Sequence, residues 1–346
     1  VVMTESATRF VTPLTFESLT GQPVISSLWQ ETGGINHITL AEKADLVLIA
    51  PATASIITKV AHGAADDLLS CLVLATRAPV LVAPAMHAAM YQNPFTGENI
   101  SRLKKHGFYF VEPGEGRLAS GGYGKGRLAD TDKIIGQVKL LAGRQGDLEG
   151  KNIVITAGGT REPIDPVRFI GNHSSGKTGF ALARAGRNRG ASVKLITTVI
   201  QAGETEGIET EYVETAEDML RAVTSAVKTA DCLIMAAAVA DFKPETTSAV
   251  KLKKETSLQM LNLRPATDIL SAVTGNFVKV GFAAETENIE AGARNKLKAK
   301  DLDFVVANDV SQTGTGFGSD VNQVTIIFRD GKVENLPVML SIEFFI

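Results

Sequence analysis

A chain of 346 residues is longer than one hydrophobic core usually serves and predicts two domains. Hydrophobic residues at 44% and charged residues at 21% exclude a disordered, collagen-like or coiled-coil chain. Thirty-five Lys plus Arg against 38 Asp plus Glu leave a formal charge of -3, which excludes a charge-driven grip on nucleic acid.

The start, Val1-Val2-Met3, reads as the end of a β-strand running into Thr4-Glu5-Ser6, so the sequence as given is expected to begin inside a fold. Residues 46–50 and 80–83 read as buried strands, each followed at once by Pro and small residues. Residues 54–62 and 65–75 between them carry helical spacing. A further strand is expected at 108–111. It precedes residues 113–130, which hold six glycines and read as a mobile active-site flap. A helix near 132–141 ends in a polar stretch at about 142–150, the expected boundary between domains 1–148 and 149–346.

The second domain opens with a strand at 152–156 and turns at Ala157-Gly158-Gly159-Thr160. Helix 176–188, strand 192–197, helix 216–229, apolar strand 232–239, strand 278–283, helix 288–299 and strand 304–307 continue in βαβ order, and 324–333 reads as a hairpin. The final 341–346 is an abrupt apolar end. Both halves are therefore α/β. No apolar run reaches the ~18 residues of a membrane span, and no signal peptide is legible. Cys71 and Cys232 form no CxxC pair and no Cys/His zinc cluster, which predicts a reducing, cytoplasmic setting.

Gly171-Asn172-His173-Ser174-Ser175-Gly176-Lys177-Thr178 satisfies the G-x-x-x-x-G-K-[ST] phosphate-loop pattern. Such a loop should leave directly from a buried strand, yet Thr156 ends the strand fifteen residues before Gly171, and Pro163, Pro166 and several charges intervene. Three readings stand on these residues: a true phosphate loop with Asp241 as its Mg²⁺ ligand, a different backbone cradle for phosphate, or an incidental Ser/Gly loop. Ser174, Ser175 and Gly176 lead into a helix whose free N–H groups favour an anion, and Gly158-Gly159-Thr160 repeats the device one strand earlier. The lysines at 251, 253 and 254 and at 296, 298 and 300 are either solvated faces or part of an anion site. His37, just before an amphipathic helix, and His87, after a strand end where open sheets bind ligands, are structural or functional on these grounds alone. No G-x-G-x-x-G follows either opening strand, against a nicotinamide-dependent dehydrogenase.

Residues 155–168 (ITAGGTREPIDPVR), 172–177 (NHSSGK), 236–242 (AAAVADF) and 281–286 (GFAAET) closely resemble phosphopantothenate-cysteine ligases. Residues 36–38 (NHI), 50–54 (APATA), 66–69 (DDLL) and 84–86 (PAM) resemble phosphopantothenoylcysteine decarboxylases, the partner fused to such ligases in bifunctional bacterial proteins of coenzyme A biosynthesis. The resemblance spans nearly the whole chain. It implies a flavodoxin-like flavoprotein domain lacking its first strand, followed by a Rossmann-like doubly wound ligase domain.

For the ligase half the resemblance implies that the carboxylate of 4'-phosphopantothenate attacks CTP and that L-cysteine then displaces CMP from the acyl-cytidylate. Asn172 would hold that intermediate and Lys251 would serve the second half-reaction. Gly158, Gly159, Thr160, Ser174, Ser175, Gly176, Lys177, Ala237, Asp241, Phe282, Lys296 and Lys300 would line the nucleotide and substrate site, with Asp241 toward Mg²⁺. Thr267-Asp268-Ile269 stands where the family carries Pro-Asp-Ile. For the decarboxylase half it implies FMN held by Thr4, Thr53, Thr76, Met86 and His87, with His37 catalytic. His87 replaces the usual asparagine, and Ser120 occupies the place of the flap cysteine that gives the last proton. A hydroxyl is a far poorer acid than a thiol. The Gly-rich turn for the FMN phosphate is absent. The resemblance also implies a homo-oligomer, trimeric through the flavoprotein domain and dimeric through the ligase domain, a dodecamer when combined, with small-molecule substrates and neither nucleic acid nor membrane as partner. Two other readings stay open: a ligase with an inactive N-terminal oligomerisation domain, and a P-loop NTPase.

Overall fold

The computed structural model describes residues 1–29, 36–117, 121–200, 205–253, 260–285, 289–309, 321–337 and 339–340. The chain divides into two compact units, Val1–Ala142 and Gly143–Ile346.

In the first unit the strands Val47–Ala52, Val80–Pro84 and Tyr109–Phe110 form a parallel sheet in that order. Alternate residues serve opposite faces, as period-two geometry demands. Val80 and Val82 pack with Ile56, Ile57 and Leu72, whereas Leu81 and Ala83 pack with Val111, Ile134 and Leu141. Helices Ala54–Ala61 and Leu68–Ala75 cross from the first strand to the second; the latter starts at a capping box of Asp67 and Ser70, later than the periodicity suggests. Lys59 Nζ reaches both Asp66 and Asp67 at 2.9 and 2.8 Å, tying the two helices at their turn. Helix Pro94–Lys105, not read from the sequence, carries a Pro-led start and only three buried residues.

The strand expected at residues 1–3 is reduced to one bridge, Val2 to Ile25, before Thr4 caps a four-residue helix. The glycine-rich flap is a two-stranded hairpin, Gly114–Arg117 with Tyr123–Arg127. It lies against residues 86–88: Met86 N–H donates to Gly126 O at 2.9 Å, and a side chain at Gly126 would run into Met86 O. Lys125 Nζ donates to Glu112 at 2.8 Å and Tyr91 joins the same carboxylate, so the hairpin is also held by charge.

The second unit is built on one eight-stranded sheet in the order 209–212, 192–197, 152–157, 232–235, 278–285, 304–309, 324–328, 333–335. Six strands run parallel, the seventh returns antiparallel, and the eighth pairs antiparallel with the seventh. Numbered along the chain, the parallel part runs 3-2-1-4-5-6, the doubly wound Rossmann order. Helix Lys177–Asn188 covers one face through Phe180 and Leu182; helices Ala216–Ala226 and Ile289–Ala299 cover the other through Met219, Val223, Ala293 and Leu297. Both expected α/β domains are present. The apolar stretch 232–239 is strand only to Met235, because residues 236–240 turn into a loop network.

Candidate functional site

In the Rossmann order the strand order reverses between the parallel strands 152–157 and 232–235, and open sheets bind ligands at the carboxyl ends of the strands flanking such a point. Two loops leave there and are zipped together. Ala238 N–H donates to Gly158 O at 2.8 Å, Thr160 N–H to Ala238 O at 3.3 Å, and Ala240 N–H to Thr160 Oγ1 at 2.9 Å. Thr156 Oγ1, fully buried, accepts from Ala237 N–H at 3.1 Å. Thr156 had no sequence signal beyond its place at a strand end, yet with Thr160 it satisfies the backbone of the second loop from inside the first.

The glycines make this approach possible. Gly158 has φ +84°, and a side chain there would collide with Thr198 Oγ1, a buried hydroxyl with no hydrogen-bond partner among the described residues. A Cβ on Gly159 would lie 2.5 Å from Asn172 O, and one on Gly179 would lie 2.5 Å from Ala157 Cβ. Helix 177–188 is thus pressed on strand 152–157, with its N-terminus at the loop network. Between strand and helix the chain inserts an antiparallel hairpin, Arg161–Pro163 with Phe169–Gly171. Gly171 therefore ends a hairpin strand, not a core strand, and the Gly171–Thr178 pattern is not the strand–loop–helix of a P-loop. Ser174 and Ser175 precede the helix, their hydroxyls 3.4 and 3.5 Å from the N–H groups of Gly176 and Lys177. Glu162, 3% exposed, accepts from Ala216 N–H at 2.8 Å and docks the hairpin on helix 216–226.

Asn172 projects from the end of this hairpin and donates from Nδ2 to Val239 O at 3.0 Å, which places it over the loop bearing Ala237 and Asp241. Asp241 is exposed. Among the described residues no cluster of three His, Cys, Asp or Glu could hold a metal. A single carboxylate is nevertheless what Mg²⁺ uses when phosphate oxygens complete its shell. Phe282 and Lys296 are joined, Lys296 Nζ donating to Phe282 O at 2.5 Å. Asp268 caps helix Ile269–Ala272 and meets Lys300 at 3.2 Å. Burial pushes its carboxyl up, but Ser271 and Lys300 outweigh this and hold it below the usual range. Ile269 is buried, so its contribution is packing. Lys251 stands exposed on a segment attached to the 161–171 hairpin. A cleft of about 770 Å³ lined by Arg161, Thr198, Tyr212, Glu214 and Arg221 opens beyond the neighbouring strands 192–197 and 209–212.

In the first unit, Thr53 and Met86–His87 follow the carboxyl ends of adjacent parallel strands, and Ala85 N–H donates to Ala52 O at 2.9 Å across them. Thr53 caps helix 54–61 and His87 Nδ1 accepts from Ala89 N–H at 3.2 Å. His37 opens helix Asn36–Lys43, whose last turn leads into strand 47–52. Thr76 is not brought together with them: it lies before the start of strand 80–84, at the opposite edge, donating to Ala41 O at 3.2 Å. Thr4 is spent as a helix cap. Ser120 lies outside the described residues.

The flavoprotein family model matches residues 1–142, and the model of the DNA/pantothenate metabolism flavoprotein C-terminal domain matches residues 148–343. The chain is 46% identical over 351 residues to the coenzyme A biosynthesis bifunctional protein CoaBC of Bacillus subtilis, covering 99% of this chain and 86% of that protein. It is 42% identical to the CoaBC protein of Vibrio parahaemolyticus, covering 96% and 85%. A solved C-terminal domain of a CoaBC protein is 38% identical, covers 57% of this chain and 91% of that one, and has a TM-score of 0.47. The chain belongs to the family of coenzyme A biosynthesis bifunctional proteins.

Proposed function

We propose that the second unit condenses 4'-phosphopantothenate with L-cysteine at the expense of CTP, and that the first unit decarboxylates the product to 4'-phosphopantetheine with FMN. The observation that carries the ligase reading is the pair of zipped loops at the switch point, capped by Asn172 and facing the N-terminus of helix 177–188. An attacking carboxylate and a triphosphate repel each other, so the site must supply positive potential. The helix N-terminus, Lys177, Lys296 and Lys300 supply it in this chain, and Lys251 adds a charge from the hairpin side. Asn172 orients the acyl group of the acyl-cytidylate, with its amide already fixed toward Val239. Asp241 would hold Mg²⁺ together with triphosphate oxygens, where the ion neutralises phosphate charge.

For the first unit, the carboxyl edge at Thr53, Met86 and His87 fits a flavin in kind: first-turn N–H groups of helix 54–61 for polar atoms and the Met86 side chain for an apolar ring. Bound FMN supplies the two-electron oxidation of the cysteinyl thiol that makes loss of CO2 favourable. His37 exchanges a proton with the substrate at this edge. Ser120 would leave the final protonation without a thiol donor, so this half is expected to turn over more slowly than a cysteine-bearing relative. The exposed Phe10, Leu14, Leu19 and Trp29 support self-association through the first unit, which light scattering would read. The two cysteines, Cys71 and Cys232, are free, which supports a reducing compartment.

The test is mass spectrometry of small molecules after incubation with 4'-phosphopantothenate, L-cysteine, CTP, Mg²⁺ and FMN, omitting one at a time. Condensation only when both CTP and cysteine are present supports the ligase; further conversion to 4'-phosphopantetheine supports the decarboxylase. Condensation without conversion would favour an inactive N-terminal oligomerisation domain. Nucleotide hydrolysis with no condensation would overturn the reading.

A further inference from the structure

Asp165 lies in the turn of the 161–171 hairpin with its side chain completely enclosed, and every acceptor position of its carboxylate is used. Oδ1 accepts from the N–H groups of Val167 at 2.8 Å and Arg168 at 2.9 Å. Oδ2 accepts from Arg168 Nε at 2.9 Å, from Arg168 Nη2 at 2.5 Å, and from Leu252 N–H at 3.2 Å. Arg168 Nη2 also donates to Leu252 O at 2.7 Å. Both backbone groups of Leu252 are therefore held by one ion pair, its carboxylate enclosed and its guanidinium half exposed, from a segment more than eighty positions away. Two further ties run alongside: Thr247 Oγ1 donates to Pro163 O at 3.0 Å, and Ser248 N–H to Ile164 O at 2.9 Å.

The residue directly before this clamp is Lys251, and the end of the same hairpin is Asn172. One small element thus fixes the two segments that bear the proposed acyl-holding amide and the proposed second-step cation. The geometry points to Asp165 as the positioning residue of Lys251: it touches no reacting atom and acts by fixing the backbone from which the lysine reaches. This inference rests on the ligase reading for its chemical consequence but not for the anchor itself. A displacement on the order of 1 Å at a reacting group can cost a hundredfold in rate, so losing the clamp should be felt in turnover more than in binding.

The test uses the full chain with Asp165→Asn, which keeps the shape and removes the charge, and with Leu252→Pro, which withdraws the N–H donor from the other side. Trypsin cleavage after Lys251 and Lys253 under native conditions reads the anchor without reference to activity. Asp165→Asn should be cut about tenfold faster after both lysines, and Leu252→Pro about tenfold faster after Lys253, since the Lys–Pro bond it creates resists trypsin, with the cleavage pattern elsewhere and the circular dichroism unchanged. Condensation kinetics read the positioning: kcat should fall between about tenfold and a hundredfold with KM for CTP within about twofold. Adding Asp165→Asn to Lys251→Ala should cost little beyond Lys251→Ala alone, because both remove one function. Unchanged cleavage would overturn the anchor. Faster cleavage with undiminished kcat, or losses that simply add, would overturn the positioning role. If the unsubstituted protein forms no condensation product, the ligase reading fails, while the cleavage comparison still decides whether Asp165 anchors the segment.

Discussion

Helix 177–188 carries two glycines on one face, Gly179 and Gly186, and replacing each by alanine should give opposite results. Helix propensity favours alanine at both by about 1 kcal/mol. At Gly186 the new Cβ would meet Val193 Cγ2 at 3.3 Å and Ile153 Cδ1 at 3.7 Å, side-chain ends that can yield by a few tenths of an ångström. At Gly179 it would meet Ala157 Cβ at 2.5 Å, Thr156 O at 2.8 Å and Ala157 Cα at 3.0 Å, which belong to the central strand and cannot yield. Overpacking against fixed neighbours costs up to about 3 kcal/mol, so Gly179→Ala should lose about 2 kcal/mol net. At about 2–4 °C per kcal/mol for a unit of this size, the calorimetric transition of the second unit should fall by about 4–8 °C. Gly186→Ala should leave it unchanged or raise it by up to about 4 °C. Nucleotide-dependent turnover should fall in Gly179→Ala as well, since a helix forced outward carries its N-terminus away from the loops. A Gly179→Ala transition at or above that of the parent would refute the close-packing argument.

Asn172→Ala and Lys251→Ala should each reduce condensation by at least about a hundredfold, while shifting the melting temperature by less than about 2 °C, because both side chains are exposed. The Asp165 carboxyl is pushed up by burial but more strongly held down by the N–H groups of Val167 and Arg168 and by the Arg168 guanidinium, well below the usual range. A carboxyl depressed on folding stabilises above its unfolded pKa of about 3.9, and that contribution fades as pH falls toward the folded value. The melting-temperature gap between parent and Asp165→Asn should therefore narrow from pH 5 to pH 3; a constant gap would show that the loss is steric. Burial, with Asp303 and Asp231 nearby, pushes the Cys232 thiol up to about 12. At pH 8 its alkylation in the native protein should run on the order of a thousandfold slower than that of an ordinary exposed thiol, read by peptide mass spectrometry, and should recover in urea.

Much of the α/β alternation was legible because buried parallel strands are near-continuous β-branched runs and crossover helices carry 3.6-residue periodicity. The short strand Glu209–Tyr212 was not, since its polar edge composition gives no such run. The hairpin at 161–171 was visible only as an interruption: Pro163 and Pro166 argued against a strand leading into Gly171, without indicating what stood there. Of the site, the glycine pairs and Asn172 stood out by type and context. Asp165 lay inside the same stretch without an assigned role, because a carboxylate whose partners sit more than eighty positions away has no local signature. Thr76 shows the converse: a residue close in sequence to strand 80–84 can sit at the opposite end of it from Met86 and His87.

The inserted hairpin also bears on how this fold can be edited. Its two ends are already in contact, with Gly159 against Asn172 O and Gly171 against Thr160 O, so the chain before it and the chain after it meet without it. Closing so short a gap costs little chain entropy. The segment behaves as a cassette set into an otherwise continuous strand, glycine turn and helix. Exchanging it as a block would change the side chains held over the zipped loops and how the segment bearing Lys251 is tethered, while leaving the strand, the glycine turn and the helix in place.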